Sequence, residues 1–156
     1  MATGFTVKTA GATALTAATA KTLVNVIPGA NRQVIVCEIS NSFDGVTASA
    51  VPVLVELVGS TQATAGTVGT SPTPTLIRGL GAAVSTAAES YSVDPTALTQ
   101  WKQWLVTPNG GLLVIQFPLG REPVTDVSGG PTTKGIGLRD NAPAAVNARA
   151  YVEFEE

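Results

Sequence analysis

The sequence predicts an all-β domain, a β-sandwich or jelly roll with about eight antiparallel strands. Two observations lead to this prediction. Valine and threonine, which favour strands, are abundant, and apolar residues alternate with polar ones in short runs. These runs are separated by turn-forming residues drawn from 16 glycines and 10 prolines, and no helix of ordinary length is indicated. A chain of 156 residues suits a single domain.

The first half of the chain contains three strongly apolar runs that we predict as strands: residues 19–27, 32–40 and 51–58. A shorter run, "GFTVKT", residues 4–9, also alternates in the manner of a strand. The Ala/Thr-rich residues 1–20 form a core poorly, so we expect an extended N-terminal arm followed by one sandwich domain over residues 21–156. Residues 59–74 are small and polar, which is typical of a long loop.

The second half supplies the remaining strands: residues 75–80, 100–106, 112–117, 136–140 and 145–154. The last run has the clearest alternation, with Val146, Ala148, Ala150, Val152 and Phe154 on one face. Because that apolar face must be covered, we expect the C-terminal strand to lie inside a sheet. An Asp-Gly pair in "FDGV", residues 43–46, predicts a tight turn.

Two tryptophans, Trp101 and Trp104, lie three positions apart in one predicted strand. Such side chains point to opposite faces of a regular strand. One indole is therefore predicted in the core, and the other is predicted to be exposed or to lie at an interface, where tryptophan is a favoured anchor. A platform for stacking sugars is the remaining alternative.

A proline-bracketed loop, "PLGREPV", presents a cation and a carboxylate in a chain that is only 13% charged. Pro118 and Pro123 restrict the backbone, and Gly120 can adopt a positive φ. Arg121 is thereby held in a fixed direction beside Glu122. Its planar guanidinium suits carboxylates or backbone carbonyls, so we predict a structural clamp or an interface contact.

The composition argues against several classes of function. The chain has no histidine, which removes the usual general base and the commonest metal ligand, so we expect neither an enzyme nor a metal or cofactor site. The formal net charge of −2 offers no basic surface for nucleic acid. No segment is long and apolar enough to predict a membrane span.

Three segments of the chain carry a resemblance to a known family. They are "TAKTLVNVIPGANRQVIVCEISNSFDGVTASAVPVLVELV", "WLVTPNGGLLVIQFPLGREPV" and "APAAVNARAYVEFEE". In this order they resemble a family of small proteins encoded in the genomes of tailed bacteriophages and prophages. The resemblance implies a capsid decoration (cement) protein with a jelly-roll-like fold, a homotrimer that binds the major capsid protein on the outer surface of the virion.

Two other functions are compatible with a β-rich, threonine-rich sandwich. One is a different structural role in the virion, as a head fibre or a tail-associated protein. The other is a glycan-binding module, which should expose aromatic side chains on one face, although aromatics make up only 5% of this chain.

Overall fold

The computed structural model describes residues 2–44, 51–126 and 133–156 as two packed antiparallel β-sheets, so the predicted β-sandwich is confirmed. The described residues form eleven strands and no helix. In chain order the strands are β1 (Gly4–Lys8), β2 (Thr13–Leu15), β3 (Ala20–Ile27), β4 (Ile35–Phe43), β5 (Val53–Thr64), β6 (Thr75–Arg78), β7 (Thr86–Glu89), β8 (Thr96–Val106), β9 (Leu112–Gln116), β10 (Gly135–Asn141) and β11 (Val146–Glu155).

The strands divide into two sheets. Sheet I has the order β6-β1-β11-β4-β9, and β2 also pairs with β11. Sheet II has the order β7-β3-β10-β5-β8. Since β9 and β8 each end a sheet, the connection from β8 to β9 crosses between the sheets at one open edge of the sandwich.

The core lies between the inner faces of the two sheets. In β11 the predicted alternation is confirmed, because Ala148, Ala150, Val152 and Phe154 are buried. The strand lies between β1 and β4, as the need to cover its apolar face predicted.

The number of strands is eleven rather than about eight. The additional strands include β2 and β7, which are rich in alanine and threonine and carry little apolar pattern. They are strands because neighbouring strands β11 and β3 supply backbone partners, a contribution that the local sequence does not reveal. The turn predicted at residues 43–46 lies partly outside the described residues.

The predicted N-terminal arm requires correction, because its described residues are part of the sandwich. β1 pairs with β11 along its whole length, and its side chains Phe5 and Val7 are buried in the core. The rings of Phe5 and Phe154 lie 5.7 Å apart. Further along, Ala10 N donates a hydrogen bond of 2.7 Å to the buried carboxylate of Glu89. The alternating apolar residues of β1 are part of the core. Their burial holds the N-terminal segment in the sandwich, although the Ala/Thr-rich residues that follow contribute little apolar surface.

The loop predicted over residues 59–74 is also shorter than expected. β5 continues to Thr64, paired with β8 through Ser60 opposite Leu98 and Thr64 opposite Thr96. The small polar side chains of residues 59–64 show no apolar alternation, so the sequence did not predict a strand there. Backbone pairing with β8 does not require such alternation.

Candidate functional site: a groove at the open edge

The loop after β9 is held by backbone hydrogen bonds at both ends. Arg121 N donates to Pro118 O at 2.9 Å, which closes a four-residue turn. Gly120, the third residue of the turn, has φ of 81°, as predicted for this glycine. At the far end Val36 N donates to Pro123 O at 2.9 Å, which joins the loop to the beginning of β4. The loop therefore presents its side chains from a fixed backbone.

The four loop residues singled out in the sequence differ in exposure. Pro118 and Arg121 are exposed, whereas Glu122 and Pro123 are partly buried. Within the described part of the chain, the Arg121 guanidinium makes no hydrogen bond or ion pair. A clamp inside the fold is thus not found there, and a contact of Arg121 with another molecule stays a prediction.

The tryptophan strand contains a β-bulge that changes its alternation. The pairing of β8 with β5 passes from Lys102 opposite Leu57 to Gln100 opposite Val58. Trp101 is therefore an extra residue without an opposite partner. A bulge of this kind shifts the pleat by one residue, so side chains on either side of it no longer follow a simple period of two.

As a result, both indoles lie towards the core, and the prediction of opposite faces is wrong. Trp104 is directly opposite the buried Val55, and both tryptophans pack against the core cluster while remaining partly exposed. The Trp101 ring lies over Gly59, where an added Cβ would be 2.6 Å from Cζ2 of the indole. No local feature of the sequence indicates the bulge.

A groove of about 530 Å³ opens between edge strands β8 and β9. Its apolar lining includes Trp104, Ile115 and Phe117, all of which pack against the core from their partly exposed positions. Its cations are Lys102 and Arg121. The Lys102 ammonium lies 5.7 Å from the centre of the Phe117 ring, a distance suited to a cation–π contact. We call this feature the edge groove.

The edge groove is positively charged in a chain whose formal net charge is −2. Among the described residues that line it there is no carboxylate. The ion pairs found in the described residues involve Arg78 and Arg139, neither of which lines the groove. Lys102 and Arg121 therefore have no intrachain ion pair in this part of the structure, and an anionic group from outside could neutralise both.

The strands that flank the groove are unusually apolar for sheet edges. β9 has the sequence LLVIQ without a charge, and Leu112 and Val114 on its outer face are 66% and 46% exposed. On β8, Leu105 is 70% exposed. Natural proteins protect bare edges with charges, prolines or covering segments, because unpaired backbone groups recruit other strands. An uncharged strand edge beside a groove with an apolar wall is characteristic of a surface that another chain covers.

Two clusters of carboxylates outside the groove are bonded to other side chains of the fold. Glu56 and Asp94 both contact Arg139, with the shorter distance, 2.8 Å, to Asp94. On the outer face of sheet I, Glu38 accepts hydrogen bonds from Tyr151 and from Gln116. The hydrogen bond to Glu38, with a smaller contribution from burial, raises the pKa of Tyr151 to about 12. These carboxylates anchor neighbouring strands.

The Cys37 thiol, in the interior strand β4 of sheet I, is only partly buried. Burial, together with the carboxylates of Glu122 and Glu153, raises the pKa of Cys37, while Arg78 opposes this. Its Sγ donates to the carbonyl of Ile35 at 3.7 Å. A protonated thiol in this position is a packing group.

The described residues contain no group of three or more histidine, cysteine, aspartate or glutamate side chains arranged to hold a metal ion. They also contain no helix with the length and apolarity needed to span a bilayer. We take the edge groove as the candidate functional site, which could bind another molecule through apolar, cationic and backbone contacts.

Sequence analysis identified three groove residues, Trp104, Pro118 and Arg121, but missed Lys102 and Phe117. The sequence feature that could have indicated these two residues is the succession of two apolar strands joined by a short turn. Which strands form sheet edges depends on the order of all the strands.

Comparison of the chain with protein-family models, with curated proteins and with solved structures finds no match.

Proposed function

We propose that this protein is a structural component of a bacteriophage virion that decorates the outer surface of the capsid and stabilises the shell. The observation that carries the proposal is the edge groove. It is built from β8, β9 and the following loop, and the second of the resembling segments, "WLVTPNGGLLVIQFPLGREPV", covers the end of β8, all of β9 and this loop. One of the three segments that resemble phage decoration proteins therefore supplies most of the groove lining, and this supports a role in contact with another protein.

The position of the two tryptophans favours protein contact over glycan binding. A sugar platform presents the flat face of an aromatic ring to solvent. Here both indoles pack against the core, and the Trp101 ring lies over the backbone of Gly59. Trp104 instead forms part of the apolar wall of the groove, a position typical of an interface anchor.

A homotrimer is the assembly that we propose for the decorating form. One sandwich of this size gains limited contact area on a shell, whereas a C3 assembly at a threefold position repeats the same contact three times. The effective concentration created by the first contact strengthens the second and the third. Light scattering on the purified chain at tens of micromolar should return the mass of three copies of a 15.8 kDa protomer. A monomeric mass under these conditions would contradict the trimer.

Co-sedimentation with capsid shells tests the function. The shells are assembled from the major capsid protein encoded in the same genome, in the unexpanded and the expanded form. We expect the protein to pellet with expanded shells in a saturable ratio and to raise their disruption temperature. Failure to pellet with either form, alongside a folded protein, would refute decoration. Pelleting with tails or with glycan-coated beads instead would indicate a tail-associated or glycan-binding role.

A further inference from the structure

We propose that the edge groove binds an extended, acidic segment of the shell protein, which adds as a strand beside β9 and places carboxylates at Lys102 and Arg121. This inference rests on the proposed function and specifies its contact. Three independent features of the groove lead to it: its charge, its apolar wall and the bare edge of β9.

The charge selects an anionic partner. Lys102 and Arg121 are the charged residues of the groove, and neither has an intrachain ion pair within the described residues. The Arg121 guanidinium can receive a carboxylate through two parallel hydrogen bonds, a geometry that an ammonium cannot reproduce. The Lys102 ammonium is already held near Phe117, so little side-chain freedom is lost when it meets a carboxylate.

The apolar wall selects a segment that also carries apolar side chains. Trp104, Ile115 and Phe117 are partly exposed although they pack against the core. An extended chain points successive side chains to opposite sides, so one set can enter the groove while the other faces outwards. β9 has five residues and is about 17 Å long, which suits a partner strand of similar length.

A second copy of this chain is a poor source for such a segment. Its acidic run lies in β11 and at the C-terminus, where Glu155 is ion-paired with Arg78. Glu156 accepts backbone hydrogen bonds from Val84 at 2.7 Å and from Ser85 at 2.9 Å. Moving this run into another protomer would break contacts that it already makes. The shell protein remains as the source.

Charge reversal tests the inference directly. We compare the double variant Lys102→Glu/Arg121→Glu with the matched control Lys8→Glu/Arg149→Glu, which makes the same change in net charge at exposed residues of sheet I. Binding to expanded shells is measured by co-sedimentation at low and at physiological salt. The groove variant should bind at least about tenfold more weakly, since a mispaired charge at an interface is costly. The control should stay within about twofold of wild type.

Two further measurements distinguish a loss of binding from a folding defect and locate the contact on β9. The neutral variant Lys102→Gln/Arg121→Gln should lie between wild type and the reversed variant, and it addresses any folding defect caused by two added glutamates. Hydrogen exchange should show new protection of the β9 amides on shells and no change in β6, the opposite edge of sheet I.

Each outcome has a distinct reading. Wild-type affinity of the groove variant for shells would overturn the groove inference and leave decoration standing. Loss of binding in the Lys8/Arg149 control alone would overturn it in favour of the outer face of sheet I. Unprotected β9 amides in the bound state would overturn strand addition. If the wild-type protein does not bind shells at all, the inference and the proposed function fail together.

Discussion

Asn41 and Asp140 meet across the core, joined by one hydrogen bond of 2.6 Å from the Asn41 amide nitrogen to Asp140 Oδ1. Asn41 lies in β4 of sheet I and Asp140 in β10 of sheet II, and both are fully buried. Among the described residues, Asn41 Oδ1 and Asp140 Oδ2 are buried without a hydrogen-bond partner. These two atoms are both acceptors when Asp140 is ionised. A proton on Asp140 would supply a donor at this contact.

The surroundings of Asp140 favour this protonated form. Burial raises the pKa of Asp140 to about 7; the hydrogen bond from Asn41 opposes the shift, and the charge of Glu56 adds to it. Lys21 is the cross-strand neighbour in β3, but its ammonium is directed to the carbonyl of Ala14, 3.2 Å away. On the other side the neighbour is the apolar Val55.

We therefore expect the free energy of unfolding to fall as the pH rises from about 4 to about 7. The pKa of Asp140 is about 7 in the folded chain and near 3.8 in the unfolded chain. Between these two values, Asp140 is protonated when the chain is folded and ionised when it is unfolded. The stability that protonated Asp140 contributes is fully present below its pKa in the unfolded chain. This contribution is lost as the pH rises towards the pKa of Asp140 in the folded chain, and the loss is complete above that pKa. The difference in pKa corresponds to roughly 4 kcal/mol as an upper limit.

Urea unfolding of wild type and Asp140→Asn between pH 4 and pH 8 measures this effect. The asparagine keeps the size of the side chain and can donate to Asn41 at every pH. The difference between the two unfolding free energies should change through this window and level off above it. A difference that is constant with pH would show that Asp140 does not carry the dependence.

The contact between Gly59 and Trp101 predicts that Gly59→Ala is destabilising. The new methyl group would lie 2.6 Å from the indole, which is packed against the core and cannot withdraw freely. Overpacking of this kind costs about 1–3 kcal/mol. Gly11→Ala is the matched control, because an added Cβ there meets nothing within 4 Å. Equal unfolding free energies for the two variants, measured in urea, would contradict the predicted packing of Trp101.

Truncating Phe5 should show that β1 belongs to the core. Phe5 is 1% exposed and contacts Phe154, so Phe5→Ala should cost about 3–5 kcal/mol. Lys8→Ala, an exposed change in the same strand, should stay within about 0.5 kcal/mol of wild type. Thermal and urea unfolding provide the measurement. A marginal effect of Phe5→Ala would restore the detachable N-terminal arm.

Arg121→Ala should leave the stability of the isolated fold almost unchanged. The side chain is exposed and lacks an ion pair in the described part of the chain, and such surface changes usually fall within about 0.5 kcal/mol. Arg121→Ala should bind shells more weakly than wild type. Arg121→Lys should also bind more weakly, because lysine lacks the planar guanidinium. Loss of several degrees in the melting temperature of the free protein would instead point to a clamp inside the fold.

How far the sequence predicts the fold is clearest in β11. Its period of two is a local property, and burial of Ala148, Val152 and Phe154 follows from it without knowledge of the partners. The same local reasoning failed at Trp101. One extra residue in the pairing of β8 with β5 redirects the indole, and an extra residue can be recognised only when both strands are aligned.

The sequence by itself determined the all-β class, the inward face of the C-terminal strand and the fixed turn at Gly120, because alternation and backbone restriction act between near neighbours. Tertiary structure alone decided that β1 completes the core, that Asn41 meets Asp140 and that Lys102, Trp104 and Arg121 surround one groove. These relationships depend on strand order and register. Both depend on which strands, distant in sequence, bury their apolar surfaces against one another, and this involves all the strands of the chain.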